Sequence, residues 1–374
     1  MRILHSESSA NWGGQEFRTL EQLRWLADHG HVVALAAPPG GIITRRADEV
    51  GIPVYHIEFH GQFDPRAILR ARRAVRDHGA EIVDCHGSRD GAAFAFARGL
   101  CPVVRSRHIS QPLKGKLRRR LMWSQGCDHV VATAECVKQG LVAAGLVPSE
   151  RVTVIGEWAA DAFFEISQRQ EHRAAVRREF SIPLEHPVVS VIGMVRDDKA
   201  QDVLIRTVDV LRRRGRPISA LIVGSAPRGQ EAYERSLHAL ARDLGLVDNV
   251  IFTGYRDDVP RLVQASDALV VTSLMEAQSR TVPQAFASAI PVVASRVGGV
   301  PELVTPGETG WLVEAGDIAG YADALAAIFD APEEARRVTE QARLYAERHL
   351  TQAGKMTQTL ALYEALLTKR NRQR

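Results

Sequence analysis

Residues 266–304 read SDALVVTSLMEAQSRTVPQAFASAIPVVASRVGGVPELV. An apolar, β-branched run at 268–271 leads to Glu276 and a polar loop, then to a segment of helical spacing that carries Gln284. A second β-branched run and a glycine pair follow. Strand, loop, helix, strand is the repeating unit of a parallel sheet, and it predicts an α/β fold in which chemistry sits in loops at the strand ends.

Outward from this stretch the same alternation continues in both directions. Upstream it predicts strands in VVSVIGMV, ALIVGS and NVIFTGY, and downstream in GWLVEAG. The first half of the chain repeats the pattern in RILHSE, HVVALAAP, VYHIEF, EIVDCHG, PVVRSRH, HVVATA and VTVIGEW. Near 156–187 the alternation loosens into a polar helix and ends at a break between Pro183 and Pro187. The 374 residues are more than one ordinary α/β core needs, so two doubly wound domains are expected. We set their limits at 1–165 and 166–350. After Asp317 the pattern is wholly helical, and 351–374 is expected to be a helix crossing back to the first domain, with Leu360, Leu362, Leu366 and Leu367 at roughly helical spacing. Ligands are expected beyond the carboxyl ends of the strands, with two such edges lining one cleft.

Composition excludes several classes. With 45% hydrophobic and 25% charged residues the chain is neither disordered nor fibrous. No apolar run approaches the roughly 20 residues of a membrane span, and the start of the chain does not read as a signal peptide, so a cytoplasmic protein is expected. Cys85, Cys101, Cys127 and Cys136 have no metal-ligating spacing, which predicts neither disulfide nor zinc. A formal charge of +4 is too small to imply a nucleic-acid partner, and no recognition module for one is present. Charge is concentrated between Arg105 and Arg120, which holds seven Lys and Arg residues and no acid. Lys114, Lys116, Arg118, Arg119 and Arg120 alternate there with apolar residues up to Trp123, a composition suited to an anionic membrane surface or to a plain solvated helix face.

Strand ends supply the remaining candidates. Gly13 and Gly14 stand where the first strand turns into a helix, and paired glycines there let backbone approach an anion. His108 closes PVVRSRH. Arg196 and Lys199 lie beyond VVSVIGMV, near Gly193, and such a pair suits a diphosphate. Glu276 can accept hydrogen bonds from sugar hydroxyls, the backbone over Gln278, Ser279, Arg280 and Thr281 can hold phosphate, and Gln284 can reach a ribose.

The 266–304 stretch resembles the donor-binding signature of family 4 glycosyltransferases, E-x7-E followed by small-Pro-Val-Val and GG-x-x-E. Gln284 replaces the second Glu as a neutral partner. GGQE at 13–16 is similar to the family's GG-x-E, Arg196 with Lys199 matches its phosphate pair, and TGYRDDVPRL resembles its nucleobase segment. The resemblance implies a retaining GT-B enzyme of bacterial lipopolysaccharide or polysaccharide type, with two Rossmann-like domains and a nucleotide-sugar donor, UDP-linked in the first instance. It implies a glycan or lipid-linked acceptor and a position in the cytoplasm or against the inner face of its membrane. It also places His108 by the transferred sugar, Tyr255 and Arg256 beside the base, and Glu276 on the sugar. Ala200 departs from the family's usual Gly, and GEWAAD from its Gly-Val-Asp. No D-x-D pair occurs, so neither metal nor cofactor is expected. Two other readings of the same architecture stay open: a non-hydrolysing nucleotide-sugar epimerase, and a sugar-nucleotide binder without activity.

Overall fold

A computed structural model describes residues 1–61, 63–111 and 117–373, with side chains over the same residues except 117–120 and 373. The described residues divide into two compact units, Met1–Gly156 with Ala353–Arg374, and Glu157–Gln352. The division falls earlier than the 165/166 limit read from the sequence because Ala159 is tied to the far end of the second unit. Its N–H donates to the Leu350 carbonyl, and it bridges Thr351.

The first unit is a seven-stranded parallel sheet of β1 (Arg2–Ser6), β2 (Val32–Ala37), β3 (Val54–His56), β4 (Ile82–Cys85), β5 (Val103–Arg107), β6 (His129–Ala132) and β7 (Val152–Val154). The strand order is β3-β2-β1-β4-β5-β6-β7. Helices cover both faces of such a sheet, which is why these strands read as continuous apolar runs rather than alternating ones. Local sequence terminates the helices. The helix Pro65–His78 starts with Pro at its first position, is capped by the Asp64 carboxylate on the Arg66 and Ala67 amides, and stops at Gly79 with φ of 62°.

The helix Gln352–Gln373 completes this first unit. Its Tyr363 is wholly buried among Ile3, Leu23, Leu35 and Val104, with Leu360, Leu362, Leu366 and Leu367 packed around the same core. The apolar spacing that demanded a covering surface in the sequence finds it here.

The second unit repeats the plan with β8 (Val188–Ile192), β9 (Ser219–Val223), β10 (Val250–Gly254), β11 (Ala268–Val271), β12 (Val292–Ser295) and β13 (Trp311–Val313). All are parallel, in the order β10-β9-β8-β11-β12-β13. One face buries Val189, Leu204, Ile222 and Tyr321, and the other buries Leu269, Phe286, Val292 and Val300. Each run expected to be a strand is one, and both sheets are Rossmann-like.

Each sheet reverses its strand order once, at β1/β4 in the first unit and at β8/β11 in the second. There the flanking loops diverge to opposite faces and leave a crevice, the usual ligand position in open parallel sheets.

Candidate active site

In the second unit the reversal point brings together residues far apart in sequence. The 197–199 turn after β8 is stapled to the loop after β11, because the Thr272 hydroxyl donates to the Lys199 carbonyl at 2.7 Å and the Leu274 amide donates to the Asp198 carbonyl at 2.9 Å. This places Lys199 Nζ 2.5 Å from Glu276 Oε1, which also accepts from the Ser273 hydroxyl at 2.8 Å. Arg196 reaches Asp198 Oδ2 at 2.8 Å. Ala200 takes the left-handed conformation, φ 47°, that the family's usual glycine adopts freely, at a cost of about 1–2 kcal/mol for an L-residue.

The glycine pair at 298–299 has a specific reason. Gly298 has φ 52°, and a Cβ there would lie 1.7 Å from the Glu276 carbonyl oxygen. The Gly299 amide meanwhile donates to the Ala277 carbonyl at 2.9 Å. Only glycine lets the loop after β12 brace the Glu276 segment this closely.

Gln278 and Arg280 also act through side chains. The Glu157 amide donates to Gln278 Oε1 at 2.5 Å, and Arg280 lies 3.7 Å from the Glu157 carboxylate and 6.0 Å from the Trp158 ring centroid. Glu157 and the fully buried Trp158 thus support this loop, and the sequence reading had set GEWAAD aside as a departure. Ser279 and Thr281 share a hydroxyl contact of 3.0 Å just before the helix Thr281–Ala287, on which Gln284 is buried. Tyr255 is exposed, with its hydroxyl on Asp257. Arg256 spends its fork on Asp258 at 2.7 and 2.8 Å and on Glu179 at 2.7 Å. Its guanidinium is therefore an anchor for the loop after β10, and these hydrogen bonds hold its pKa above the ordinary arginine value.

In the first unit the reversal point is acidic and histidine-rich. Gly13 caps the helix Gly14–Asp28, but its amide donates to Glu16 Oε2 at 2.9 Å. Glu7, just past β1, is fully buried and accepts from the Ser9 amide at 2.8 Å and from Gln15 Nε2 at 2.6 Å. Asp90 caps the neighbouring turn through the Gly87 amide at 3.1 Å and the Ser6 hydroxyl at 2.8 Å. With Glu7, Glu16 and Asp90 gathered here, the edge suits a hydroxyl-bearing ligand better than the anion expected at Gly13 and Gly14.

Burial first, then the Asp90 and Glu16 carboxylates, push the Glu7 carboxyl up to about 8. An acid raised in the folded state binds more protons than the unfolded chain between its ordinary value and pH 8. Stability is therefore lost as pH rises through that window. Replacing the carboxylate in Glu7→Gln should stabilise the protein by about 2 kcal/mol or more at pH 8.5 and by nearly nothing at pH 4.5. Thermal melts of both proteins across that range check this, and a pH-independent difference would refute it.

His108 follows β5 and does not stand alone. His5 Nδ1 lies 2.8 Å from His86 Nε2, and His86 Nδ1 lies 3.0 Å from His108 Nε2. The three rings are stacked at centroid spacings of 5.1 and 5.2 Å. Asp84, in register with His5 across β1/β4, accepts from the Ser106 hydroxyl at 2.9 Å and the Tyr363 hydroxyl at 2.7 Å. Burial opposes its charge, but the His86 and His5 imidazoles and the two hydroxyls outweigh burial and hold its pKa below the ordinary carboxyl value. His5, Asp84 and His86 come within 4.8 Å of one another, close enough to hold a metal ion. Asp84 already accepts from two hydroxyls and His5 Nδ1 already pairs with His86 Nε2, so the group reads as a polar network. The sequence reading missed His86, although EIVDCHG ends a strand just as PVVRSRH does.

Trp123 corrects an expectation. It was grouped with a membrane-facing surface, yet it is 4% exposed, with the Arg105 guanidinium 4.0 Å and that of Arg107 5.8 Å from its ring centroid. Arg105 and Arg107 are buried too, because alternation along β5 directs them into cation–π packing. Lys114 and Lys116 lie outside the described residues, as do the side chains of Arg118, Arg119 and Arg120. No helix among the described residues is long and apolar enough to cross a membrane.

Sequence comparison agrees with this architecture in both halves. Residues 12–157 match the model of Glycosyltransferase Family 4, and residues 172–345 match that of Glycosyl transferases group 1. Across nearly the whole chain the structure superposes on a glycosyltransferase from Rickettsia africae with TM-score 0.88 at 20% identity, covering 98% of each chain. It superposes on Anabaena Alr3699/HepE, solved with UDP, with TM-score 0.86 at 21% identity, covering 98% of this chain and 100% of that one.

The chain carries the GT-B glycosyltransferase fold.

Among curated relatives, this GT-B chain is 34% identical over 287 residues to the D-inositol 3-phosphate glycosyltransferase of Corynebacterium efficiens, matching 71% of its own length and 66% of the relative's. It is 32% identical to the enzyme of the same name from Corynebacterium glutamicum, over 59% and 53% of the two chains. The match spans just under two thirds of the first relative and about half of the second. These relatives do not single out the lipopolysaccharide type to which the sequence motifs had pointed.

Proposed function

We propose that this protein is a retaining glycosyltransferase that moves a sugar from a UDP-sugar to the hydroxyl of a polyhydroxylated acceptor. One observation carries the reading: Lys199 and Glu276 converge beside Arg196 at the β8/β11 reversal point, one cation for a pyrophosphate and one carboxylate for sugar hydroxyls. The matches of both halves to glycosyltransferase models support it, and the UDP complex of the Anabaena protein supports the choice of nucleotide.

In this proposal Arg196 and Lys199 offset the negative charge that grows on the departing nucleotide, without a divalent cation or other cofactor. Gly193 and the backbone over Gln278, Ser279, Arg280 and Thr281 hold the phosphates, Gln284 takes the ribose, and Tyr255 flanks the base. No enzymic nucleophile is needed, because the leaving phosphate takes the acceptor proton as the new bond forms on the same face. The first unit receives the acceptor at the edge formed by Gly13, Gly14, Glu7 and His108. The hydroxyl-rich acceptor is argued from the Glu7, Glu16 and Asp90 carboxylates gathered at this edge and from the cyclitol in the names of the curated relatives. A cyclitol phosphate and a lipid-linked glycan, the latter at the cytoplasmic membrane face, are its two forms.

The direct test is a thermal-shift series with UDP-, GDP- and ADP-sugars. A UDP-sugar at about a hundred times its Kd should stabilise the protein by roughly 2.7 kcal/mol, with the others far behind. Equal response to all three, or to none, would refute the donor assignment, and product analysis with each acceptor form decides between them.

A further inference from the structure

In the second unit, Gln278 and Arg280 both meet Glu157, which stands 121 positions before the first of them. The Glu157 amide donates to Gln278 Oε1 at 2.5 Å, and the Glu157 carboxylate lies 3.7 Å from the Arg280 guanidinium. The side chains of this ion pair are 6% and 13% exposed, so it is nearly dry. Glu157 itself has a firm seat. Trp158 beside it is wholly buried, and the Ala159 amide donates to the Leu350 carbonyl at 2.9 Å.

The two ends of this loop are fixed by other contacts. Before it, the Ala277 carbonyl accepts from the Gly299 amide at 2.9 Å. After it, the helix Thr281–Ala287 is held by its own buried face of Val282, Ala285, Phe286 and Ala287. Between these ends the side chains of Gln278 and Arg280 carry the backbone to Glu157. Charge alone does not account for a carboxylate in this place, because it would oppose an anion held by the neighbouring loop. Its contribution is geometric: it keeps the Arg280 cation paired in a nearly dry position, where an uncompensated charge is costly.

We propose that Glu157 is a positioning residue for the donor's diphosphate. Through its amide on Gln278 and its carboxylate on Arg280, it sets the backbone of residues 278–281 in the arrangement that receives the phosphates. The phosphate part of this inference rests on the donor reading given above. The anchoring of the loop does not.

The test compares the full-length protein with Glu157→Ala, Glu157→Gln and Gln278→Ala, by calorimetry with UDP and with uridine and by hydrogen exchange without ligand. Glu157→Ala should weaken UDP binding by about 10-fold or more, because the unpaired guanidinium leaves its place and takes the loop backbone with it. Glu157→Gln, whose amide oxygen can still accept from Arg280, should recover most of the loss. Gln278→Ala changes no charge, so its expected loss of about 10-fold reports geometry alone, and it decides the matter if Glu157→Ala does not fold. Uridine, which has no phosphate, should bind all of these proteins alike, since the helix carrying Gln284 keeps its own buried face. Without ligand, the amides of 278–281 should exchange faster in Glu157→Ala and Gln278→Ala. UDP bound as tightly or more tightly by folded Glu157→Ala, the result of removing a bystander charge, overturns the proposal. So does an equal loss of UDP and uridine, the mark of general disruption. Unchanged exchange in both variants removes the anchoring itself. If the unsubstituted protein binds no UDP while exchange rises in both variants, the donor reading fails and the anchoring of the loop stands.

Discussion

Lys199→Ala should lose about 100- to 1,000-fold in turnover while keeping a cooperative melt. In the free protein Lys199 is engaged with Glu276, and the side chains are 24% and 11% exposed, so the pair is only partly dry. A donor pyrophosphate would share or take over this ammonium, so the interaction that matters for rate is made as charge develops on the leaving group. Removing the cation leaves Glu276 with the Ser273 hydroxyl as a donor, which limits the stability cost to about 1–3 kcal/mol. Steady-state kinetics beside a thermal melt checks both halves. Turnover above about a tenth of normal would remove Lys199 from the mechanism, and loss of the folded transition would mean that its role is structural.

Deleting residues 353–374 should abolish the folded first unit. Tyr363 is fully buried, and four leucines of the same helix pack on the core it enters. At about 1.5–3 kcal/mol for each fully buried side chain, less for the partly buried ones, the loss is about 5 kcal/mol or more. A typical domain has only about 5–15 kcal/mol to lose. The Asp84 carboxylate would also lose one of its two hydroxyl donors inside the sheet. The milder Tyr363→Phe should cost about 1–3 kcal/mol and remain folded. Denaturant titrations of the two variants make the comparison, and a truncated protein with an unchanged melt would show that the helix is dispensable.

The fold was legible because parallel strands buried on both faces are written as short, nearly continuous apolar runs. VVALAA, VVSVI and ALVV announce themselves without help from neighbours. The loops beyond β8 and β11 were legible for a related reason, since polar residues at the end of an apolar run have few purposes. What stayed hidden depends on meetings between distant segments. Nothing in EIVDCHG says that His86 will stack between His5 and His108, because that needs the β3-β2-β1-β4-β5 order. Glu7 reads as an ordinary loop carboxylate until Glu16 and Asp90 are folded around it. Trp123 misled because an amphipathic run of sequence does not disclose which of its faces is covered, and Arg105 and Arg107 lie beneath it on a buried strand.

The return of the last helix to the first unit also sets an order of birth. Residues 157–352 form a continuous unit that can close as soon as it leaves the ribosome. The opening 156 residues emerge earlier but must wait, with the floor of their core uncovered, until Tyr363 has been added. At roughly 5–20 residues per second that interval is on the order of ten to forty seconds for each newborn chain. During it the greasy underside of β1 and β5 is exposed to whatever else is nearby, so chaperone demand for this protein falls on the half that is made first.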